Sequence, residues 1–465
     1  MKIVLFLTVT ALLLSLPTVS FADEQIASCQ NRFLTLVNPV RSRSLWHDGS
    51  LKPIEDQYGL ISTKNLPASW LLQYDTLADA QLLSKIKSFD NRQEEGVLLE
   101  VSQKMADDAR IVYPVNTPWS YPQAVFLSGY SQSDRKKLID LLFGRFKNTF
   151  GFYPSAVGAW WIDSYSLDYI KDKYNIKTAM IVADQKTTDS YGVWGQWWGV
   201  PYYPAKANLL VPAGNLNDKL DVVIIQWAQR DPLLARGEGP GSSNYSLQAN
   251  DYISQGKDID YFKNLVSVYL DCRNSLGQVT VGLETGIESV GYISEYAKQL
   301  DYLTSLNYLT PVTMSQFHDA FAKVYPTFPD KMVIQKDSFR WEMTPPKRIS
   351  SENEVINYNS KASFSDYFVA DKASFLNRQL NQLKNKNEGG DYHWLFWLVI
   401  LGLGILAYFK KLFKIWLLGG LFLVSAFGLV LRSGYQFGWK VFYGLVIDQL
   451  LVVQIVLILL SFLLI

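Results

Sequence analysis

Short apolar, β-branched runs alternate along residues 30 to 325 with stretches whose apolar positions recur at helical spacing. The runs Phe33 to Val40, Ser69 to Tyr74, Gly96 to Val101, Ala156 to Trp161, Thr178 to Ala183, Asp221 to Trp227 and Val279 to Leu283 predict strands. Pro53 to Thr63, Ala78 to Phe89, Ser133 to Thr149, Ser166 to Tyr174, Tyr261 to Ser275 and Tyr292 to Leu306 predict the intervening helices. A last helix, Ser315 to Val324, follows Leu309-Thr310-Pro311-Val312. Strands apolar on both faces and spaced by helices predict βα units around a parallel sheet. Seven or eight such units predict an α/β fold closed as a (β/α)7–8 barrel rather than an open sheet.

The hydrophobic pattern changes character at both ends. Lys2 precedes an apolar run from Ile3 to Leu16, and Ser20 with Ala22 supplies a small-x-small cleavage pattern. Residues 1–22 therefore predict a signal peptide, too short for a permanent span of about 20 residues. Ile26-Ala27-Ser28-Cys29 has the outline of a lipobox, but Asp23 and Glu24 separate it from the apolar run. At the other end 394–409, 415–431 and 441–465 predict three transmembrane helices. Lys410-Lys411-Leu412-Phe413-Lys414 lies between the first two and is expected in the cytoplasm by the positive-inside rule. The two ends thus agree on a main domain, residues 23–347, held outside the cytoplasm at the cell surface. Residues 348–393, polar and rich in Asn, Ser, Lys and Gln from Glu352 to Asp391, read as a linker or stalk. The expected partners are accordingly the lipid bilayer and an envelope or external polysaccharide.

Charge and composition narrow the chemistry. With 44 Lys and Arg against 43 Asp and Glu, the net charge of +1 gives no basis for nucleic-acid binding. Of three histidines, His393 adjoins the first predicted span, leaving His47 and His318 for the soluble domain. No histidine-built metal site and no cofactor are expected. Cys29 and Cys272 are the two cysteines, and an oxidising compartment permits a disulfide between them without the spacing requiring it.

In a βα barrel the chemistry sits where strands end and loops begin. The predicted strand exits carry Asn38, Arg41 and Arg43, then Gln73 and Asp75, Glu100, Asp163, Asp184, Gln226 with Arg230 and Asp231, and finally Glu284 and Glu288. Each carboxylate has a plainer reading as a helix cap or loop ion pair, and Asp163-Ser164 directly before a helix illustrates it. Tyr191 to Tyr203, YGVWGQWWGVPYY, adds Trp194, Trp197 and Trp198, while Trp160, Trp161 and Trp227 end strands. Indole faces stack on sugar C–H faces as readily as they pack in a hairpin plugging the mouth, so both readings stay open.

The order of elements resembles the glycoside hydrolase/deacetylase superfamily of (β/α) barrels, in particular its polysaccharide deacetylase branch. The stretch Leu142 to Asp184 carries the resemblance, with Ala159-Trp160-Trp161-Ile162-Asp163-Ser164-Tyr165 in place of that branch's Arg-Pro-Pro-Tyr-like motif and Tyr174-Asn175-Ile176 in place of its turn. The resemblance implies a metal held by an aspartate after the first strand and by two histidines spaced HxxxH. Here Leu36-Val37-Asn38-Pro39-Val40-Arg41 lacks paired aspartates and Leu99-Glu100-Val101-Ser102 lacks histidine. The superfamily's glycosidases instead use two carboxyl groups, for which Asp163 and Glu284 are the candidates. Arg41, Asp75, Glu100, Trp161, Asp184, Trp194, Trp197, Trp198, Trp227, Arg230 and Glu288 are candidates for substrate binding. Three readings compete: a tethered glycoside hydrolase, a silent barrel binding a glycan or envelope partner, and a deacetylase with a rearranged site involving His47.

Overall fold

The computed structural model describes residues 29–114, 120, 122–182, 199–235 and 244–358. Its strands in chain order begin with β1 (Arg32–Val40), β2 (Ala68–Leu72), β3 (Gln93–Leu98), β4 (Ala156–Gly158) and β5 (Thr178–Ile181). A short antiparallel hairpin, β6 (Pro204–Ala205) and β7 (Asn208–Pro212), precedes β8 (Val223–Gln226), β9 (Gly277–Val281) and β10 (Leu309–Val312). β1 to β5 and β8 pair in succession, all parallel, and β9 and β10 both pair with the first half of β1. Every residue of β1, β2, β4, β5, β8 and β9 is buried. That accounts for their continuous apolar runs, because helices cover one face and the barrel interior the other.

Between these strands run α1 (Lys52–Thr63), α2 (Ala80–Ile86), α3 (Gln103–Asp108), α4 (Pro122–Val125), α5 (Gln132–Phe150) and α6 (Ser164–Tyr174). α7 (Ala249–Ser254), α8 (Ile259–Tyr269), α9 (Ser289–Ser305) and α10 (Met314–Val324) complete the set. Local chemistry sets their ends. Ser131 caps α5 by accepting from the Asp134 N–H, and Gly151 ends that helix at φ 87°. Thr313 and Gln316 form a reciprocal capping box at the start of α10.

The ring is nearly closed. Among the described residues no backbone pairing joins β8 to β9. The Gln229 carboxamide bridges that seam as a strand would. Its Nε2 donates to the Gln278 carbonyl at 3.2 Å, and its Oε1 accepts from the Thr280 N–H at 2.9 Å. Ala228, at φ 45°, makes the left-handed step that precedes Gln229. For an alanine this step costs roughly 1–2 kcal/mol.

Most predicted elements are present, with informative differences. The helix expected to reach Ser275 stops at Tyr269, and the following turn holds Cys272 in a disulfide to Cys29, Cα to Cα 4.9 Å. The Arg32 guanidinium ties the same turn down through the carbonyls of Leu270, Asp271 and Asn274. Leu309 to Val312 is itself a barrel strand, and α7 and the β6–β7 hairpin carry no clear periodicity. The polar segment begins later than its composition implied. β11 (Met332–Lys336), β12 (Phe339–Thr344), β13 (Lys347–Ser350) and β14 (Val355–Asn357) form an antiparallel sheet that runs past 348. Phe339, Trp341 and Met343 are buried while Arg340, Glu342 and Thr344 are only partly so, a period-two alternation in a stretch of the main domain for which no element was expected. Among the described residues no helix is long and apolar enough to cross a membrane. The predicted signal peptide and the stretches 394–409, 415–431 and 441–465 lie outside the described residues.

Candidate functional site

Arg41 follows β1 immediately and organises the mouth. Its Nε and Nη2 donate to the two oxygens of Glu100 at 2.6 and 2.8 Å, and its Nη1 donates to Glu284 on the loop after β9. The Arg41 and Glu100 side chains are 3% and 2% exposed, whereas Glu284 keeps 12%. The guanidinium also lies 4.8 Å from the Trp160 ring centroid. Burial alone lowers the Arg41 pKa, but the charges of Glu100 and Glu284 outweigh it and hold the guanidinium more firmly protonated than usual.

A second layer supports this triad. Trp160 packs against Trp227 with ring centroids 5.9 Å apart. The Trp227 indole donates to Gln248 Oε1 at 3.0 Å, and Gln248 Nε2 donates to Glu288. Glu288 in turn accepts from the Glu284 N–H at 2.9 Å. Burial first, and the neighbouring Glu284 charge second, push the Glu288 carboxyl well above the usual glutamate range. Gly282 and Gly286 permit the loop to lie so close. A Cβ on Gly282 would stand 1.8 Å from the Val37 carbonyl oxygen, and one on Gly286, at φ 78°, would enter the Trp46 ring. The Trp46 indole donates to the Arg41 carbonyl at 3.0 Å and braces the triad from behind.

The other predicted residues divide sharply. Asp163 is fully buried as the N-cap of α6, accepting from the Ser166 N–H and hydroxyl at 2.9 and 2.7 Å and from Arg135 at 2.9 Å. Burial pushes its carboxyl up against the opposing pull of these donors. The Ser166 bonds start α6, and the Arg135 bond ties that start to α5, so the carboxylate expected as a catalytic acid is engaged in the scaffold. Trp161 is a core residue, and Arg230 is buried with Nη1 donating to the carbonyls of Trp227 and Ala228. Asp231 fastens the C-terminal sheet through Lys336 at 2.5 Å and also accepts from the Tyr261 hydroxyl at 3.0 Å. Asp75 accepts from Ser102 at 2.6 Å, with its carboxyl pushed up by burial. His47 is exposed. Asp184, Trp194, Trp197 and Trp198 lie outside the described residues. Gln248 and Gln229 escaped the sequence reading, since a lone glutamine in a polar loop carries no signal of its partner.

A metal of the deacetylase kind does not fit this mouth. Among the described residues no three His, Cys, Asp or Glu side chains are grouped to hold an ion. The Glu100 and Glu284 carboxylates already share the Arg41 guanidinium, so an incoming divalent cation would meet a fixed positive charge.

Residues 121–362 match the family described as a domain of unknown function with a solved structure, DUF3863. The chain belongs to that family. No curated protein matches it. The fold of this DUF3863 chain is that of the glycoside hydrolase/deacetylase barrels. A candidate glycoside hydrolase/deacetylase from Parabacteroides distasonis aligns with TM-score 0.54 at 14% identity, over 71% of this chain and 84% of that one. A candidate polysaccharide deacetylase from Pseudomonas aeruginosa aligns at 0.40 and 9% identity, over 63% and 93%. A peptidoglycan deacetylase from Bacillus subtilis aligns at 0.31 and 9%, over 63% and 94%.

Proposed function

We propose that this DUF3863 barrel is a carbohydrate-active protein tethered to a membrane with its main domain outside the cytoplasm, and that it recognises a glycan at the Arg41 mouth. The observation that carries the reading is the Arg41–Glu100–Glu284 cluster, which offers a partly exposed carboxylate on a guanidinium that lies against the Trp160 indole, where barrels bind ligands. A carboxylate accepting from sugar hydroxyls beside an aromatic face suits a polyol surface. The likeness of fold to a candidate glycoside hydrolase/deacetylase supports the substrate class. The Cys29–Cys272 disulfide supports an oxidising location, as do the apolar ends of the chain.

Of the finer readings, glycan binding without turnover accounts best for the geometry, because Asp163 is consumed as a helix cap and the Asp163–Glu284 pair has lost one member. Hydrolysis centred on Glu284 stands second. It draws on Glu288, whose carboxyl burial and the Glu284 charge push well above the usual glutamate range, the direction that suits the acid member of a hydrolytic pair. A glycan panel on the full chain in detergent separates the two. Binding that falls at least tenfold in Glu284→Ala, with no release of reducing ends by the wild type, supports recognition. Reducing ends released by the wild type but not by Glu284→Gln establish hydrolysis. Binding indifferent to Glu284→Ala sinks both.

A further inference from the structure

The barrel end opposite the mouth carries a surface that glycan recognition does not use. α5 finishes with Lys147 in its last turn, and the left-handed Gly151 then turns the chain into Phe152 and Tyr153. These rings are 50% and 40% exposed. A helix-to-strand turn lies at the N-terminal ends of the strands, away from the strand exits. The rings do not hang free. Phe152 sits 5.8 Å from the buried Phe146 and 6.2 Å from Phe150, and Tyr153 sits 4.9 Å from Tyr174. Lys147 Nζ lies 4.5 Å from the Tyr153 ring centroid, and Lys87 Nζ lies 5.6 Å from that of Phe150. Both lysines are exposed, and neither has an ion pair among the described residues. Asp140 on the same helix is already engaged by Lys173, Tyr169 and Tyr174.

Two adjacent exposed rings backed by a packed core, with unpaired cations beside them, have the chemistry of a headgroup layer. Tyrosine favours that depth with its hydroxyl in the polar layer, phenylalanine inserts beside it as an apolar contact, and each lysine near an anionic lipid surface contributes about 1 kcal/mol. The two rings and two lysines share one end of the barrel, and their chemistry is that of a charged, partly apolar boundary. We infer that this end of the barrel rests on an anionic lipid surface, with Phe152 and Tyr153 at the headgroup level and Lys87 and Lys147 on lipid phosphates. The mouth then faces away from the bilayer, toward external glycan. The inference takes its setting from the membrane-tethered reading above, but the patch can be tested apart from it.

The test uses the full chain in nanodiscs of phosphatidylcholine alone or with added phosphatidylglycerol. Acylation of Lys87 and Lys147 by a water-soluble reagent is followed by mass spectrometry, with Lys104 at the mouth end as internal reference. Labelling of each lysine is expected to slow roughly fivefold in the anionic discs, the factor that about 1 kcal/mol per lysine contact gives. The double substitution Phe152→Ser and Tyr153→Ser is expected to restore the faster rate, compared at equal folded fraction by circular dichroism because both rings also pack on the core. Equal labelling in the two lipids, or protection that survives the double substitution, overturns the inference. A chain that fails to enter discs overturns the tethered reading alone, and co-sedimentation with phosphatidylglycerol vesicles then decides. Binding lost in the double variant supports the patch, and absence of binding overturns it.

Discussion

Asp163 and Glu284 occupy similar places in the chain, each shortly after a barrel strand on the mouth side, yet they meet opposite fates. Asp163 turns into the start of α6, where three donors and complete burial make it part of the scaffold. Glu284 turns toward Arg41 and keeps part of its surface. The difference lies in the neighbours. α5 brings Arg135 to Asp163, whereas β1 and β3 bring Arg41 and Glu100 to Glu284. A carboxylate at a strand exit is therefore only an offer of chemistry. The packing of the next helix decides whether it is taken.

The comparison breaks most readily at Asp163. Asp163→Ala takes one buried carboxylate from the Arg135 guanidinium and removes a cap, so about 3–5 kcal/mol of stability should be lost in urea unfolding. Glycan binding by the surviving folded fraction should be unchanged. Loss of binding with intact stability would put Asp163 back at the mouth. Arg41→Met should cost a similar or slightly smaller amount, about 3–4 kcal/mol, by stranding the buried Glu100. Unlike the first variant, it should abolish glycan binding, measured at equal folded fraction. Glu284→Gln keeps shape and a hydrogen-bonding group at a partly exposed position, so its stability change should stay under about 1 kcal/mol. Its binding loss should nevertheless be at least tenfold, the reverse of the Asp163 pattern.

The pH dependence sharpens the same contrast. Glu288 holds its proton more tightly folded than unfolded, so the folded state binds more protons than the unfolded chain. Its contribution to stability is complete below the ordinary glutamate pKa of about 4.3 and is lost as pH rises toward the elevated folded value. Glu288→Gln should remove this decline, so the variant should gain on the wild type in chemical unfolding between mildly acidic and neutral pH. A constant difference across that range would mean that Glu288 is ionised throughout. The smallest effect is expected at the seam. Ala228→Gly relieves the left-handed step before Gln229 and should change stability by less than about 1 kcal/mol, with stabilisation favoured. A larger loss would show that the alanine methyl packs in a way its φ angle conceals.

Much of this arrangement is legible in the chain. The strands of the barrel stand out because parallel strands buried on both faces become uninterrupted apolar runs, as in Phe33 to Val40. Arg41, Glu100 and Glu284 were legible as candidates because strand exits in this architecture converge on one mouth. Gln248 and Gln229 were not, because their roles arise from partners 40 and 49 residues away, Glu288 and Gln278. The strand Phe339–Thr344, in a part of the main domain given no element, was missed for a related reason. Its buried half shows as alternation rather than as a run.

The sequence by itself determined the parallel barrel, the alternation of strand and helix, and the set of charged groups delivered to the mouth. Those properties follow from periodicity and from the short reach of the backbone. Only the tertiary structure decided which carboxylate is fully buried as a helix cap and which keeps part of its surface. It also decided that a guanidinium lies between Glu100 and Glu284, that a glutamine side chain bridges the β8–β9 seam, and that Cys29 meets Cys272 across 243 residues. Each of these depends on side chains from elements far apart in sequence. Burial and distance then set their charge, and neither exists until the chain has folded.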